Sequence, residues 1–172
     1  DFYSVVASRS KDGSGQILMF KSENLKTWEL VTILDKSENK LGRMWECPDF
    51  FNIDGKNVLV ISPQEVRATK DGFHNGNNTA FLIGEYDKEN KKFNREKTKV
   101  IDFGLDFYAP QTFEDKDGRR IMIGWMHSWE NRIIPKDQLY ERRENLYHGG
   151  DRYEEIQELI KYKKEDEDAK TI

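Results

Sequence analysis

The sequence predicts an all-β protein built from repeated antiparallel hairpins. Short apolar segments rich in β-branched and aromatic residues recur along the first 126 residues, and turn residues separate them. One hairpin pattern occurs twice, because Asp49–Ile61 aligns with Thr112–Gly124 at an offset of 63 residues, which places Phe50 on Phe113. A repeat of this length with several strands per unit is typical of a propeller blade or a related array.

The predicted strands follow the apolar segments in order. They are Phe2–Ser8, Gln16–Lys21, Glu29–Leu34, Asp49–Ile53, Asn57–Ser62, Thr79–Tyr86, Lys99–Asp102, Tyr108–Phe113 and Arg120–Met126. An Asp-Gly pair lies between the two strands of each repeated hairpin, which is a strong turn signal. The first strand resembles the second half of the repeat, so we expect the chain to begin in the middle of a blade. Gln64–Asn78 is predicted to be a long polar loop, and loops of that size tend to be functional.

The composition changes after about Pro135. Asp151–Lys164 has apolar residues at a helical period, with Asp151 as an N-cap, so a short C-terminal helix is predicted. Residues 1–132 are therefore expected to form a partial propeller, and residues 133–172 a charged, partly helical segment of unknown role. That segment is either a solvated surface or a docking helix.

Charge and cysteine content limit the classes of function. The formal net charge is −4 and no basic stripe with interleaved aromatics is present, which argues against nucleic-acid binding. No apolar run is long enough to cross a membrane. The single cysteine, Cys47, excludes an internal disulfide and fits a reducing compartment, so a cytoplasmic location is predicted.

The most informative segment is Trp45-Glu46-Cys47-Pro48-Asp49-Phe50. An apolar neighbourhood raises the pKa of a carboxyl group toward the range that a general acid needs. Trp45 and Cys47 are expected to give Glu46 such surroundings, while Pro48 stiffens the entry to a strand. The alternative is a surface glutamate that lies beside a core tryptophan. The three histidines have no metal-like spacing, so no metal site is predicted.

Two motifs match a known family. They are Trp45-Glu46-Cys47-Pro48-Asp49-Phe50-Phe51 and Asp106-Phe107-Tyr108-Ala109-Pro110-Gln111-Thr112. Supporting matches are Gly15–Ser22, Asn24–Trp28 and Ile123–Met126. Over about Asp1–Arg132 the sequence resembles glycoside hydrolase family 32, which includes the bacterial sucrose-6-phosphate hydrolases and related β-fructofuranosidases.

The resemblance implies a five-bladed β-propeller with its active site in the central funnel. It also implies retaining hydrolysis of a β-fructoside such as sucrose or sucrose 6-phosphate, with no cofactor. Glu46 would be the acid/base. Asp106 and Tyr108 would enter the funnel from the next blade, with the alternative that Tyr108 is a packed core aromatic. Asp49 would either orient the strand end or cap a backbone turn, and Trp125 would either stack on a sugar or lie buried between blades.

The sequence departs from the family in three respects: two aspartates of the family pattern are missing, and the residues after Arg132 do not align with it. The family's nucleophilic aspartate lies in an Asn-Asp-Pro segment that does not occur here, and its transition-state-stabilising aspartate lies in an Arg-Asp-Pro segment expected shortly before Asp1. Retaining glycosidases need two carboxyl groups. The chain alone is therefore predicted to be inactive. Because the blade edge at Asp1 would leave strand hydrogen bonds unpaired, we expect the chain either to self-associate through that edge or to be ordered only beside an N-terminal part. The competing functions are a non-catalytic sugar-binding or interaction module and a propeller glycosidase acting on arabinosides or xylosides.

Overall fold

The computed structural model describes residues 1–70, 72–73, 76–104 and 106–126. Every regular element within these ranges is a β-strand, which confirms the all-β prediction. The strands are β1 (Phe2–Arg9), β2 (Gly15–Ser22), β3 (Glu29–Lys36), β4 (Met44–Ile53), β5 (Lys56–Gln64), β6 (Ala80–Asp87), β7 (Lys92–Val100), β8 (Tyr108–Glu114) and β9 (Arg120–Trp125). The predicted C-terminal helix at Asp151–Lys164 and the rest of residues 133–172 lie outside the described residues.

The strands form three antiparallel sheets that follow one another along the chain. Their orders are β1-β2-β3, β4-β5-β6-β7 and β8-β9, without a crossover among the described strands. β4 packs against β1 and β2, β8 packs against β4 and β5, and the outer strands β3 and β7 lie side by side. Successive antiparallel sheets that pack face to face are the arrangement of a propeller. The number of blades and a start within a blade stay predictions.

Two strands differ from their predicted bounds by five residues or more. β4 begins at Met44 rather than at Asp49, so the whole Trp-Glu-Cys-Pro motif lies inside a strand. The sequence placed a strand at Lys99–Asp102, but β7 begins at Lys92. Most side chains of β7 are exposed and polar, and Phe93 is its one buried residue. An outer strand without alternating apolar residues gives little periodic signal.

The core lies between the first two sheets. β2 contributes Ile17 and Met19, and Trp45, Leu59 and Ile61 face them from the second sheet. β5 is buried on both faces, since six consecutive residues in it are inaccessible or nearly so. One face of β5 therefore packs on the first sheet, and the other faces β8.

The repeat aligns at the level of strands, with one correction of register. Phe51 is paired with Val58 in the second sheet, and Phe113 is paired with Ile121 in the third. Because Val58 aligns with Ile121, the structural equivalent of Phe113 is Phe51 rather than the predicted Phe50. The connections differ, with two residues between the paired strand ends of β4 and β5 and five between those of β8 and β9. The strand pairing inside the second hairpin is accordingly shifted by one residue relative to the pairing inside the first.

Candidate active site

Glu46 lies in the first half of β4, opposite Ser62 of β5, and its side chain is half-buried. Its Oε2 atom accepts two hydrogen bonds of 3.0 Å, one from Nε2 of Gln64 and one from the hydroxyl of Tyr108. The donors come from two different sheets. Glu46 is therefore not a surface glutamate that merely adjoins a core tryptophan, because two partners fix its carboxylate.

A bulge follows Glu46, and a matching bulge follows Tyr108. The ladder of β4 shifts between Glu46 and Asp49, and that of β8 shifts between Tyr108 and Gln111. In each bulge a residue with positive φ precedes a proline: Cys47 has φ 45° and Ala109 has φ 53°. A non-glycine residue is uncommon in this region, and a following proline restricts it further. Glu46 and Tyr108 thus occupy equivalent positions in adjacent sheets, each directly before the strained residue.

Tyr108 is both a buried aromatic and a partner of the carboxylate, so the two readings of this residue are compatible. Its side chain is 3% exposed, and its hydroxyl also lies 3.3 Å from the Ser62 carbonyl oxygen. The Oγ atom of Ser62 accepts a 3.0 Å hydrogen bond from the N–H of Ala109. Burial, and then the neighbouring Glu46 carboxylate, raise the pKa of Tyr108. The phenol consequently stays protonated and can donate to Glu46.

Asp49 also reaches β8. Its Oδ2 atom accepts a 2.9 Å hydrogen bond from the N–H of Thr112 and another from the Thr112 hydroxyl. The Thr112 hydroxyl in turn accepts from Arg120, whose guanidinium lies 4.4 Å from the centre of the Phe51 ring. Residues three apart in a regular strand point to opposite faces. The bulge between Glu46 and Asp49 changes this, so both side chains contact β8. The hydrogen bonds of the Asp49 carboxylate to Thr112 thus join β4 to β8.

Trp45 supports the site from the core. Its side chain is fully buried, and its Nε1 donates a 2.7 Å hydrogen bond to the Leu41 carbonyl. Trp45 and Glu46 are neighbours in a regularly paired part of β4, so their side chains point to opposite faces. A Cβ on Gly15 would lie 2.4 Å from the Trp45 backbone nitrogen, which shows how closely β2 approaches here. Trp45 thus packs in the core, on the face of β4 opposite to the Glu46 side chain.

Cys47 carries a free, half-buried thiol and follows Glu46 directly in β4. Burial, and then the negative charge of Glu46, raise the pKa of Cys47 above its ordinary value. The thiol is therefore poorly suited to act as a nucleophile. The backbone carbonyl oxygen of Cys47 accepts a 3.3 Å hydrogen bond from Nε2 of Gln111 on β8, which adds another contact between β4 and β8.

Trp125 and Asp106 lie near the ends of the third sheet. Trp125 is paired with Tyr108 across β8 and β9 and is 40% exposed, so it is not buried between sheets within the described part of the chain. Asp106 is half-buried and precedes β8 by two residues. The backbone at this point is held by Thr79, whose hydroxyl donates a 3.1 Å hydrogen bond to the Phe107 carbonyl.

The long polar connection between β5 and β6 is partly described. Asn78 is buried, and its Oδ1 atom accepts from the N–H of Thr79, while Oδ1 of Asn77 accepts from the N–H of Glu65. Both asparagine side chains thus make hydrogen bonds within the protein. The other two polar residues of this connection that could contact a sugar, His74 and Asn75, lie outside the described residues. No cluster of metal-ligating side chains occurs in the ranges that the structure describes. None of the described segments forms a helix with the length and hydrophobicity of a membrane span.

Gln64 is the site residue that sequence reasoning missed. It ends β5 and was predicted to be the first residue of the polar loop. Residues two apart in a strand share a face, and Ser62 is paired with Glu46, so the spacing of Gln64 becomes informative only once that pairing is known.

Comparison with known proteins identifies the family. The model of the glycosyl hydrolases family 32 N-terminal domain matches residues 1–144, which extends beyond the Arg132 limit of the recognised motifs. The chain belongs to glycosyl hydrolase family 32. Relatives in this family include the sucrose-6-phosphate hydrolases of Zymomonas mobilis, 40% identical over 142 residues, and of Staphylococcus xylosus, 37% identical over 125 residues. The alignments cover 76% and 73% of this chain, and 27% and 25% of those proteins.

Solved structures of family 32 give the same result. A Bombyx mori GH32 β-fructofuranosidase in complex with sucrose has a TM-score of 0.70 and 38% identity, covering 77% of this chain and 28% of that chain. The sucrose-6-phosphate hydrolase from Lactobacillus gasseri has a TM-score of 0.65 and 25% identity, covering 79% of this chain and 28% of that chain. The chain thus spans about a quarter of the length of these proteins.

Proposed function

We propose that this chain supplies the acid/base part of a β-fructofuranosidase active site that cleaves sucrose or sucrose 6-phosphate with retention. The observation that carries the proposal is the Glu46 carboxylate, which Gln64 and Tyr108 hold from two different sheets. Glu46 also occupies the position of the acid/base in the motif that resembles the family's.

The proposed reaction has two steps. In the first, protonated Glu46 gives its proton to the glycosidic oxygen as the bond to the anomeric carbon breaks, and a carboxylate nucleophile bonds to that carbon. In the second, ionised Glu46 removes a proton from water, and the water oxygen displaces the nucleophile, which releases fructose and restores the acid. The family's nucleophile belongs to an Asn-Asp-Pro segment that this sequence does not contain. The complete reaction therefore needs a second polypeptide segment.

The neighbouring residues have separate proposed roles. Tyr108 donates to the Glu46 carboxylate and stabilises the charge that develops when the proton leaves. Asp49 fixes β4 against β8 through Thr112, so its contribution to substrate binding is through position. Trp125, partly exposed beside Tyr108, offers a ring for stacking on the sugar, and Asp106 contributes from the segment before β8.

The substrate class follows the named relatives. Several relatives are sucrose-6-phosphate hydrolases, and the Bombyx mori structure holds sucrose. We therefore propose a sucrose-type β-fructoside as the substrate, without distinguishing the phosphorylated form from the free sugar. A cytoplasmic location fits a phosphorylated substrate and the single cysteine, and it remains a proposal.

A chimeric enzyme tests the proposed role of Glu46. The matched residues of this chain replace the aligned segment of the Zymomonas mobilis sucrose-6-phosphate hydrolase, which keeps the rest of its own sequence. We expect the chimera to release fructose from sucrose 6-phosphate or sucrose. Glu46→Gln should lower the rate by about 10²–10⁴-fold, the usual contribution of general acid–base catalysis.

Glu85→Gln is the matched control, because Glu85 pairs with Lys56 on the outer part of the second sheet. It should leave the rate unchanged. A folded chimera whose activity does not depend on Glu46 overturns the proposal. A folded chimera that binds sucrose without hydrolysing it also overturns the proposal, and it favours the non-catalytic sugar-binding module. If the full exchange does not fold, as judged by circular dichroism, an exchange limited to β4, β5 and β8 carries the same test.

A further inference from the structure

We infer that Gln64 is a positioning residue for the acid, and that its hydrogen bond assigns separate tasks to the two oxygens of Glu46. Oε2 is held by hydrogen bonds, and Oε1 carries the proton to the leaving group. The inference rests on the proposed function of Glu46. It begins from the observation that both donors, Gln64 and Tyr108, converge on the same oxygen at 3.0 Å.

The backbone of Gln64 is fixed by the segment that precedes β4. Its carbonyl oxygen accepts a 2.8 Å hydrogen bond from the N–H of Arg43. A Cβ on Gly42 would lie 2.4 Å from that carbonyl oxygen, so the segment before β4 is pressed against the end of β5. Gln64 also lies two residues beyond Ser62, the residue opposite Glu46. The amide thus extends from a well-paired strand end on the face that carries the Glu46 side chain.

The chemistry of the donors decides which oxygen carries the proton. The amide N–H of Gln64 can only donate, and a proton on Oε2 would displace it and turn the phenol of Tyr108 from a donor into an acceptor. Oε1 therefore holds the transferable proton in the acid form. As Oε1–H transfers to the glycosidic oxygen, negative charge develops on the carboxylate and strengthens both hydrogen bonds to Oε2. Interactions that strengthen in the transition state accelerate that step.

A comparison of leaving groups separates this role from a merely structural one. Sucrose needs its leaving oxygen protonated, whereas an aryl β-fructofuranoside with an acidic phenol leaves without such help. In the chimeric enzyme, Gln64→Leu should lower kcat/KM for sucrose by roughly ten- to a hundredfold, since misplacing a catalytic group by about 1 Å costs up to ~10²-fold. The value for the aryl fructoside should change far less.

Gln16→Leu is the matched control, because the amide of Gln16 lies 3.3 Å from the Ser8 hydroxyl on the first sheet. It should leave both substrates unaffected. Equal losses on the two substrates in Gln64→Leu would overturn the inference, because a general disturbance of the site does not distinguish leaving groups. If Glu46→Gln retains full sucrose hydrolysis, the proposed function fails instead.

A measurement without turnover tests the hydrogen bond directly. In the 172-residue chain labelled with ¹⁵N-glutamine, the side-chain amide signal of Gln64 is assigned by its loss in Gln64→Leu. We expect its proton resonance to move upfield in Glu46→Gln, since a neutral acceptor replaces a carboxylate. An unchanged resonance would show that the Gln64 amide does not donate to Glu46, and the inference would be wrong whatever the kinetics show.

Discussion

The Tyr108 hydroxyl donates a 3.0 Å hydrogen bond to Oε2 of Glu46 across 62 positions of sequence. The two residues occupy equivalent places in adjacent sheets, each directly before a residue with positive φ and a proline. Backbone strain of this kind is retained where surrounding structure fixes it, and it concentrates at functional sites. Two copies of one local geometry thus bring a carboxyl group and its donor to a single point.

Removal of the Tyr108 hydroxyl should slow the chimeric enzyme. Tyr108→Phe deletes one hydrogen bond to a charged acceptor, an interaction worth about 1.5–3 kcal/mol, so a roughly ten- to hundredfold lower kcat/KM on sucrose is expected. Because the pKa of Tyr108 is raised above its ordinary 10, the phenol stays protonated in mildly alkaline solution. The ratio of wild-type to variant rates should therefore stay constant up to about pH 10.

The matched control is Tyr86→Phe, which alters a ring that packs edge-on against Phe50 at 6.0 Å in the second sheet. It should not change the rate on sucrose. A ratio that falls toward one as the pH approaches 10 would mean that Tyr108 ionises normally and loses its donor role.

The Asp49–Thr112 contact should contribute to stability. Asp49→Ala removes the acceptor of two hydrogen bonds between β4 and β8, and we expect the free energy of unfolding to fall by about 1–3 kcal/mol. Urea unfolding of the 172-residue chain measures it. Thr112→Val removes only the hydroxyl, so the double variant should be less destabilised than the sum of the single variants. Strict additivity would mean that the two side chains do not interact in solution.

Asp35 should make stability depend on pH in an unusual direction. Its Oδ2 atom is buried without a hydrogen-bond partner among the described residues, although Nε of Arg95 lies 3.4 Å away. Burial raises the pKa of Asp35 above 3.8 in spite of Arg95. A raised folded-state pKa means that the folded protein binds the Asp35 proton more tightly than the unfolded chain does. The stability that this proton contributes is fully present below pH 3.8 and is lost as the pH rises through the folded-state pKa.

The variant Asp35→Asn cannot ionise at this position. Its stability relative to wild type should therefore increase between about pH 4 and pH 7, as measured by urea unfolding at a series of pH values. A relative stability that decreases over the same interval would show that the ion pair with Arg95 outweighs the cost of burying the charge. Glu38→Gln provides the control, since the pKa of Glu38 is lowered by Lys40 and the opposite trend is expected.

The 172-residue chain alone should release no fructose. A retaining site needs two carboxyl groups, and Asp49, the other carboxylate of the motif, is engaged by Thr112 on β8. Purified chain is incubated with sucrose and with sucrose 6-phosphate, and free glucose and fructose are measured. Release of sugar that disappears in Glu46→Gln would contradict the prediction and place a nucleophile within this sequence.

The sequence predicted the parts of the fold that depend on local patterns. Alternating apolar residues and Asp-Gly turns located eight of the nine described strands at least approximately, and the Trp-Glu-Cys-Pro motif pointed to Glu46. The charged outer strand β7 has no such pattern. Gln64 also escaped prediction, because it contacts Glu46 diagonally across two paired strands, and this contact depends on the register of β4 and β5. The register of Phe113 was wrong by one residue because bulges and turn lengths are not visible in composition.

The equivalence of Glu46 and Tyr108 has a consequence for the symmetry of the molecule. Repeated sheets can be alike at nearly every position, but these two positions must differ. Glutamate at both would bring two like charges together, and tyrosine at both would leave no proton donor of suitable acidity. The pseudo-symmetry of the repeats is thus broken directly beside the bulge that both backbones share. A variant with the same residue at positions 46 and 108 would make the two repeats more alike, and it would remove the hydrogen bond between Tyr108 and Glu46.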